Sequence, residues 1–583
     1  MKCPFVEREC IKRECAGWTY SGCFVENLSQ KLDTLCNLVS SLCARPIPLS
    51  MGGAHPEPEG QSPRVEVDEP PPAVPEKPPK PEGLQRFEPI NPSDSITEAV
   101  IAFDFGTALS KVAVRVNLDD MALPIPLAAR ASEILNTGGI ESYASGNPFV
   151  QDSLIYVDDS ATVYCGSLAR QRFVEAANAG IARLGIQNLK QLLIGGGAGY
   201  QIHSSHFPSD EKMDLQAVLS TYMAYLFYLT RTYLNTNSDL RIDVNATLRN
   251  FSIPVWNNKE YRESVIRLME RAIASAYCLE KWLQEELIVG VPMKRLRDAL
   301  VEAEKYHSEI QQLVGTDVSE PVAAGFSRIC DLEIRPGLPV HLFVVDIGSG
   351  STDFALLTIS QPRNREGVII HTFKQSGVDA GVAKWDNALR ALLLNKLREK
   401  AGLTTGHPQL QLVNAKIDAQ LMQIKENVIR SQDGFPVDVS PALSTPIVIS
   451  KSDLEAAPAV QDALSTIRAG LEQYICDARE WIANAFAPDR TEILVTGGGS
   501  FLQSVVSTIR ESVHLLGPSY PNRVNNRFIP SLYSRIPNFR DIYPLVAVSL
   551  GSTEREYPEQ RELPRIGPDP GAHRLGGYFT TGL

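Results

Sequence analysis

Carboxylates set beside glycine turns are the residues of this sequence best suited to chemistry. From His341 to Ile359 the chain reads HLFVVDIGSGSTDFALLTI. An apolar strand, Leu342 to Val345, ends on Asp346. The turn Gly348-Ser349-Gly350-Ser351-Thr352 follows, and Asp353 opens a second apolar strand, Phe354 to Ile359. Glycine lets a backbone turn sharply and approach a ligand closely. Successive N–H groups in such a turn form a concave anion site. A carboxylate beside bound phosphate repels it, and a divalent cation held through water between the two removes that repulsion. The stretch reads as a phosphate-and-metal hairpin. Taken alone it reads equally well as a Gly-Ser β-turn with two solvated aspartates, because short glycine motifs recur without function.

Two further stretches share the grammar. Ala99 to Val116, AVIAFDFGTALSKVAVRV, is an apolar strand, Asp104, a turn with Gly106 and Thr107, then a second apolar strand. Lys111, just after this turn, is placed either to approach a phosphate or to lie on the surface. Glu492 to Leu502, EILVTGGGSFL, is a strand followed by Gly497, Gly498, Gly499 and Ser500, with a helix expected from about Gln503.

Other elements must carry these turns to one place. Asn147 to Gln171 reads as a β-hairpin around Asp158-Asp159-Ser160 and then a helix. The periodicity of Met213 to Leu234 predicts an amphipathic helix. A helical insertion is expected over about 279–315, with Leu296, Leu300, Tyr306, Ile310 and Leu313 as its apolar contacts. It reads as a solvated hairpin on the surface, or else as a partner-docking element.

The constellation resembles the phosphate-1, phosphate-2 and adenosine motifs of the actin, sugar-kinase and DnaK-type chaperone superfamily. Several segments are similar to the chaperone branch in particular. They are Ile186 to Gly195 (IQNLKQLLIG), Glu320 to Gly325 (EPVAAG), Gly377 to Leu389 (GVDAGVAKWDNAL), the helix Ile417 to Ser431, and Pro544 to Gly551 (PLVAVSLG). The resemblance covers about residues 96–555. It implies an α/β, two-lobed actin-like ATPase (ribonuclease H-like) fold, each lobe a mixed sheet flanked by helices, closing on ATP and Mg²⁺. It also implies roles. Asp104 and Asp346 would hold water ligands of Mg²⁺. Gly106, Thr107, Gly348, Ser349 and Gly350 would cradle phosphates, with Ser351 in place of a phosphate-proximal threonine. Glu320 and Asp353 would position the attacking water. Lys425 and the run Gly497, Gly498, Gly499 and Ser500 would lie against ribose and base. Met422 and Ile429 stand where the family has a glutamate and a serine, so hydrogen bonds to ribose or base are lost there.

The rest of the chain sets limits. At 583 residues several domains are expected, and 43% hydrophobic content is ample for a core. A net charge of −12 argues against a general nucleic-acid binder. No apolar run is long enough to predict a membrane span. The start, Met1-Lys2-Cys3, lacks a signal-peptide pattern, so a cytoplasmic location is expected. Residues 1–44 hold six of the ten cysteines. The spacing C-x6-C-x4-C-x7-C of Cys3, Cys10, Cys15 and Cys23 suits zinc or an iron–sulfur cluster. Unligated thiols and disulfides are the alternatives. Cys36 and Cys43 read as helix-packing residues. Residues 45–93 are rich in proline and read as an extended linker. The tail 556–583 reads as flexible, and no peptide-binding domain follows the nucleotide-binding unit at 94–555. The expected function is a Mg-ATP-binding, slowly hydrolysing, chaperone-like switch acting through a protein partner. A filament-forming actin-like protein and a non-hydrolysing nucleotide-binding scaffold are the alternatives.

Overall fold

The computed structural model describes residues 18–19, 22–23, 87–90, 96–117, 120–128, 131, 147–196, 200–208, 211–237, 240, 242–255, 259–329, 331–363, 368–404, 406–481, 487–534, 536, 538–555 and 557. Cys3, Cys10, Cys15, Cys36 and Cys43 lie outside them, as do nearly all of the expected linker and tail. Cys23 is described in backbone only, in a pairing of Trp18–Thr19 with Gly22–Cys23.

Two mixed sheets organise the rest. The first contains β1 (Val100–Asp104), β2 (Leu109–Arg115), β3 (Leu123–Pro124), β4 (Leu248–Ile253) and β5 (Val314–Ser319). Their spatial order is β5-β4-β1-β2-β3, and Gln151–Asp152 pairs with β2 off this path. The second contains β6 (Val340–Ile347), β7 (Thr352–Ser360), β8 (Ile369–Val378), β9 (Thr491–Thr496) and β10 (Val524–Asn525), in the order β8-β7-β6-β9-β10. In both sheets the first three strands form an antiparallel meander, and the fourth and fifth run parallel to the first. The same wiring therefore occurs twice.

Helices flank both sheets: α1 (Gly166–Asn178), α2 (Leu189–Gly196), α3 (Leu215–Thr236), α4 (Lys259–Leu283), α5 (Met293–Ala303), α6 (Glu320–Ile329), α7 (Ala383–Ala401), α8 (Pro408–Arg430), α9 (Pro458–Trp481), α10 (Gln503–Ser512) and α11 (Phe539–Gly551). Because successive side chains in a strand face opposite ways, β6 serves two cores. Leu342 and Val344 join the core shared with the first sheet, while Phe343, Val345 and Ile347 join a second core under α7 and α9. Burial on both faces is why its apolar run is unbroken.

Helix α3 departs from the expectation. It is buried nearly all round rather than amphipathic. Its hydroxyls are satisfied within the helix: Ser220 donates to the Gln216 carbonyl at 2.8 Å and Thr230 to that of Leu226 at 2.7 Å. The stretch 279–315 is likewise packed rather than solvated. Leu296, Ile310 and Leu313 are buried in the first core, Leu300 and Tyr306 pack against it, and Val291 pairs with Val163. Trp282 there donates its indole N–H to the Glu88 carbonyl at 2.8 Å, and the Phe87 ring lies 4.9 Å from it.

Two helix pairs join the sheets. Helices α6 and α11 cross so closely that a Cβ on Gly551 would lie 1.7 Å from the Ala323 carbonyl oxygen. Helices α1 and α8 meet through Leu168, Ala169 and Phe173 against Ala415 and Ala419. Arg170 ties that contact, bonding Asp152 Oδ1 and donating from Nη1 to the Ala419 carbonyl at 3.2 Å. The end of the described chain returns to its beginning: Glu554 pairs with Arg115, and Arg555 donates to the Thr97 carbonyl. No helix among the described residues is long and apolar enough to cross a membrane.

Candidate functional site

Strand register fixes the first hairpin. Asp104 closes β1 directly opposite Lys111 on β2. Their side chains meet, with Lys111 Nζ 3.0 Å from Asp104 Oδ2. Ser252 on β4 donates to the other oxygen, Oδ1, at 3.3 Å. The turn Gly106-Thr107-Ala108 joins the two strands.

The second hairpin sets Asp346 opposite Asp353. Neither aspartate is solvated; they are 3% and 1% exposed. Thr496 donates to Asp346 Oδ1 at 2.9 Å, and Ser351 donates to Asp353 Oδ2 at 2.8 Å. Burial raises both carboxyl groups. For Asp346 the Thr496 hydrogen bond opposes this and the Asp104 carboxylate adds to it. Asp353 is pushed up to about 7, chiefly by burial and further by Asp346, against the pull of Ser351 and Lys190. The turn between the strands is seated on the start of α7. Val382 N–H donates to the Gly348 carbonyl at 3.1 Å, and Ala383 N–H to that of Ser349 at 2.8 Å. In a trans peptide the N–H points opposite to the C=O. The amides of Ser349 and Gly350 are therefore turned away from α7, toward the cavity these two residues line.

That cavity measures about 710 Å³, within the usual range for small-molecule sites. Both hairpin turns line it. They face each other closely: a Cβ on Gly350 would sit 3.4 Å from Thr107 Oγ1. Asp104, Gly106, Thr107, Glu320, Asp346, Gly348, Ser349, Gly350, Ser351, Lys425, Gly497 and Gly498 all line this one space. Asp353, Gly499 and Ser500 lie behind its surface. Gly499 packs on Ile347, and Ser500 donates to the Gly497 carbonyl at 2.7 Å. Gly497 needs its residue type, because it has φ +78° and a Cβ there would lie 2.3 Å from the Ile347 carbonyl oxygen. Its N–H donates to the Pro544 carbonyl at 2.8 Å, which ties the third glycine turn to α11.

Lys190 is the main residue missed from sequence. It projects from α2 into the cavity and pairs with Glu320 at the first turn of α6. Burial pushes its ammonium down, and the carboxylates of Asp104, Asp353 and Asp346 offset this. Its sequence signal was the lysine of the segment Ile186 to Gly195. Arg527, Asn538 and Asp541 also line the cavity. At the other end Met422, Ile429, Phe501, Leu502 and Leu545 make an apolar wall, and Lys425 is held by Asp386 at 2.8 Å.

Comparison with protein-family models finds no matching family, and comparison with curated proteins finds no match. The chemistry must be argued from the site itself.

Four carboxyl groups, of Asp104, Asp346, Asp353 and Glu320, gather around two ammonium groups, of Lys111 and Lys190. Such a set repels a polyphosphate unless a cation intervenes. Among the described residues no three His, Cys, Asp or Glu side chains come close enough together to hold a metal directly. Asp104 and Asp346 approach the cavity from different sheets, each offering a carboxylate and no third ligand beside it. That donor set fits a hard cation that keeps its own water, as Mg²⁺ does.

Proposed function

We propose that this chain binds a Mg-nucleoside triphosphate between its two sheets, hydrolyses it slowly, and works as a conformational switch read by a protein partner. In this reading the fold is the two-lobed, actin-like one, and the nearest functional analogy is the nucleotide-binding domain of DnaK-type chaperones. One observation carries the proposal. Two strand–Asp–glycine-turn–strand hairpins, one from each sheet, face each other across a single cavity, with Lys190 and Glu320 between them. The repeated strand order of the two sheets supports it, since each sheet supplies the equivalent hairpin from its first two strands.

The residues divide the work. The amides of Ser349 and Gly350, with Thr107 and Gly106, cradle the phosphates. Asp104 and Asp346 would hold a hydrated Mg²⁺, which would supply charge neutralisation along the phosphate chain. Lys190 places a further positive charge at the terminal phosphate. Glu320 orients the attacking water, and Asp353, behind the cavity surface, acts through the Ser351 hydroxyl that donates to it; its raised carboxyl is suited to take up the proton by that route near neutral pH. Phosphoryl transfer needs mainly positioning and charge stabilisation. The apolar wall of Met422, Ile429 and Phe501 receives the base.

Turnover of ATP with and without Mg²⁺, in the wild type and in Asp346→Ala, tests this. Mg²⁺-dependent phosphate release should fall at least about a hundredfold in the variant. Equal turnover by the two proteins would remove Asp346 from the reaction, and an absence of nucleotide binding would remove the proposal.

A further inference from the structure

One carboxylate interrupts the apolar wall at the far end of the cavity. Met422, Glu426 and Ile429 follow the spacing i, i+4, i+7, so they share one face of α8, and all three line the cavity. The Glu426 side chain is partly buried and makes no hydrogen bond among the described residues. Burial raises its carboxyl, and the charges of Arg430 and then Lys425 oppose this. Neither cation satisfies it. Lys425 is held by Asp386 at 2.8 Å. The Arg430 guanidinium stays 3.7 Å from Glu426, beyond hydrogen-bond reach. Arg430 lines the same space, one helical turn further on. The two side chains therefore present an acceptor and a donor next to each other, within an otherwise apolar stretch of wall.

We propose that Glu426 and Arg430 read the edge of the base, so that the cavity takes guanine nucleotides in preference to adenine nucleotides. This rests on the nucleotide reading of the cavity and deepens it by naming the base. An ionised carboxylate only accepts hydrogen bonds, and a guanidinium only donates them. Guanine carries two adjacent donors, N1–H and the N2 amino group, which match the two oxygens of Glu426. Its O6 acceptor lies beside them and matches Arg430. Adenine carries the reverse pattern, an N1 acceptor beside an N6 amino donor, so each side chain would face a group of its own kind. Leaving a buried polar group unpaired is what makes such a site selective. Met422, Ile429 and Phe501 cover the ring faces of either purine and do not discriminate. Adenine nucleotides still bind through their phosphates, but more weakly.

The test is calorimetric titration of GDP, IDP, ADP and 2′-deoxy-GDP into the full chain in Mg²⁺, for the wild type and Glu426→Gln. Diphosphates keep turnover out of the measurement. The wild type should bind GDP about a hundredfold more tightly than ADP. IDP, which keeps O6 and N1–H but lacks the amino group, should fall about tenfold below GDP. 2′-Deoxy-GDP should match GDP. In Glu426→Gln the GDP preference over ADP should shrink to less than about fivefold, because the amide offers adenine N1 a donor. The wild-type series needs no variant, so a misfolded Glu426→Gln would not rescue the idea. Wild-type binding of ADP as tight as that of GDP overturns this inference and leaves the nucleotide reading standing. A GDP preference that survives unchanged in Glu426→Gln also overturns it. So does a preference for GDP over 2′-deoxy-GDP that vanishes in the variant, which would place Glu426 on the ribose. Absence of binding of every diphosphate by the wild type overturns both readings.

Discussion

Asp353 shows how a single side chain links burial to pH. Its carboxyl is opposite that of Asp346, and burial raises it to about 7. Two consequences have opposite signs. In the proposed role of proton acceptor it would work only when ionised, so kcat should climb through pH 7 along one ascending limb. Asp353→Asn should remove the limb and leave a flat rate lower by about a hundredfold. For stability, the folded state keeps a proton that the unfolded chain releases near the ordinary aspartate value of 3.8. The contribution of this group is therefore full below that value, declines as the pH rises toward 7, and is constant above. Tm should drop between pH 5 and pH 8 by more in the wild type than in Asp353→Asn. A limb that survives in the asparagine variant would assign the proton transfer to another group.

At the scale of elements, the crossing of α6 and α11 matters most, because these helices join the two sheets and carry Glu320 and the anchor of the third glycine turn. Glu320 begins α6, and the Pro544 carbonyl of α11 holds Gly497. Gly551→Ala should push the helices apart, since its Cβ would overlap the Ala323 carbonyl, at a cost of about 1–3 kcal/mol. Denaturant unfolding checks it, and an unchanged midpoint would mean that the helices shift freely. Much of this was legible in the sequence. The hairpins announced themselves because β6 and β7 are apolar on both faces and break only at Gly348 to Ser351. The small residues of EPVAAG likewise marked a close helix contact. What was not legible depends on tertiary placement. Nothing local to Lys190 says that its ammonium will meet Glu320, 130 positions later. Arg527 and Asn538 sit in irregular chain after β10, where no periodicity points a side chain. Helix α3 looked two-faced because its tyrosines and threonines count as polar, yet Tyr222 spends its hydroxyl on the Asp152 carbonyl and Thr221 on that of Ala217.

For the whole molecule, the two sheets meet at α6 and α11 on one side of the cavity and at α1 and α8 on the other. The second contact is small, built on Ala415, Ala419 and the arm of Arg170. On the proposed function, a nucleotide would enter and leave where that smaller contact parts. Ala419→Leu should overfill it and hold the sheets further apart. The dissociation rate of ADP, followed by stopped flow, should rise about tenfold, with stability changed by less than about 2 kcal/mol. An unchanged rate would place the exit elsewhere.

The return of Arg555 to the Thr97 carbonyl, a separation of 458 residues, also bears on how the chain is made. Helix α11 packs on β1 and β2, so two strands made early gain their final covering late. At synthesis rates of about 5–20 residues per second, the delay is on the order of half a minute to a minute and a half. Throughout that interval β1, apolar on both faces, and β2 wait for a partner that has not yet been translated. The second sheet, whose strands and covering helices α7, α9 and α10 fall within residues 340–525, is complete before α11 emerges. The nascent chain thus has a mature later half and an unfinished earlier one, an order that favours holding factors at the ribosome exit.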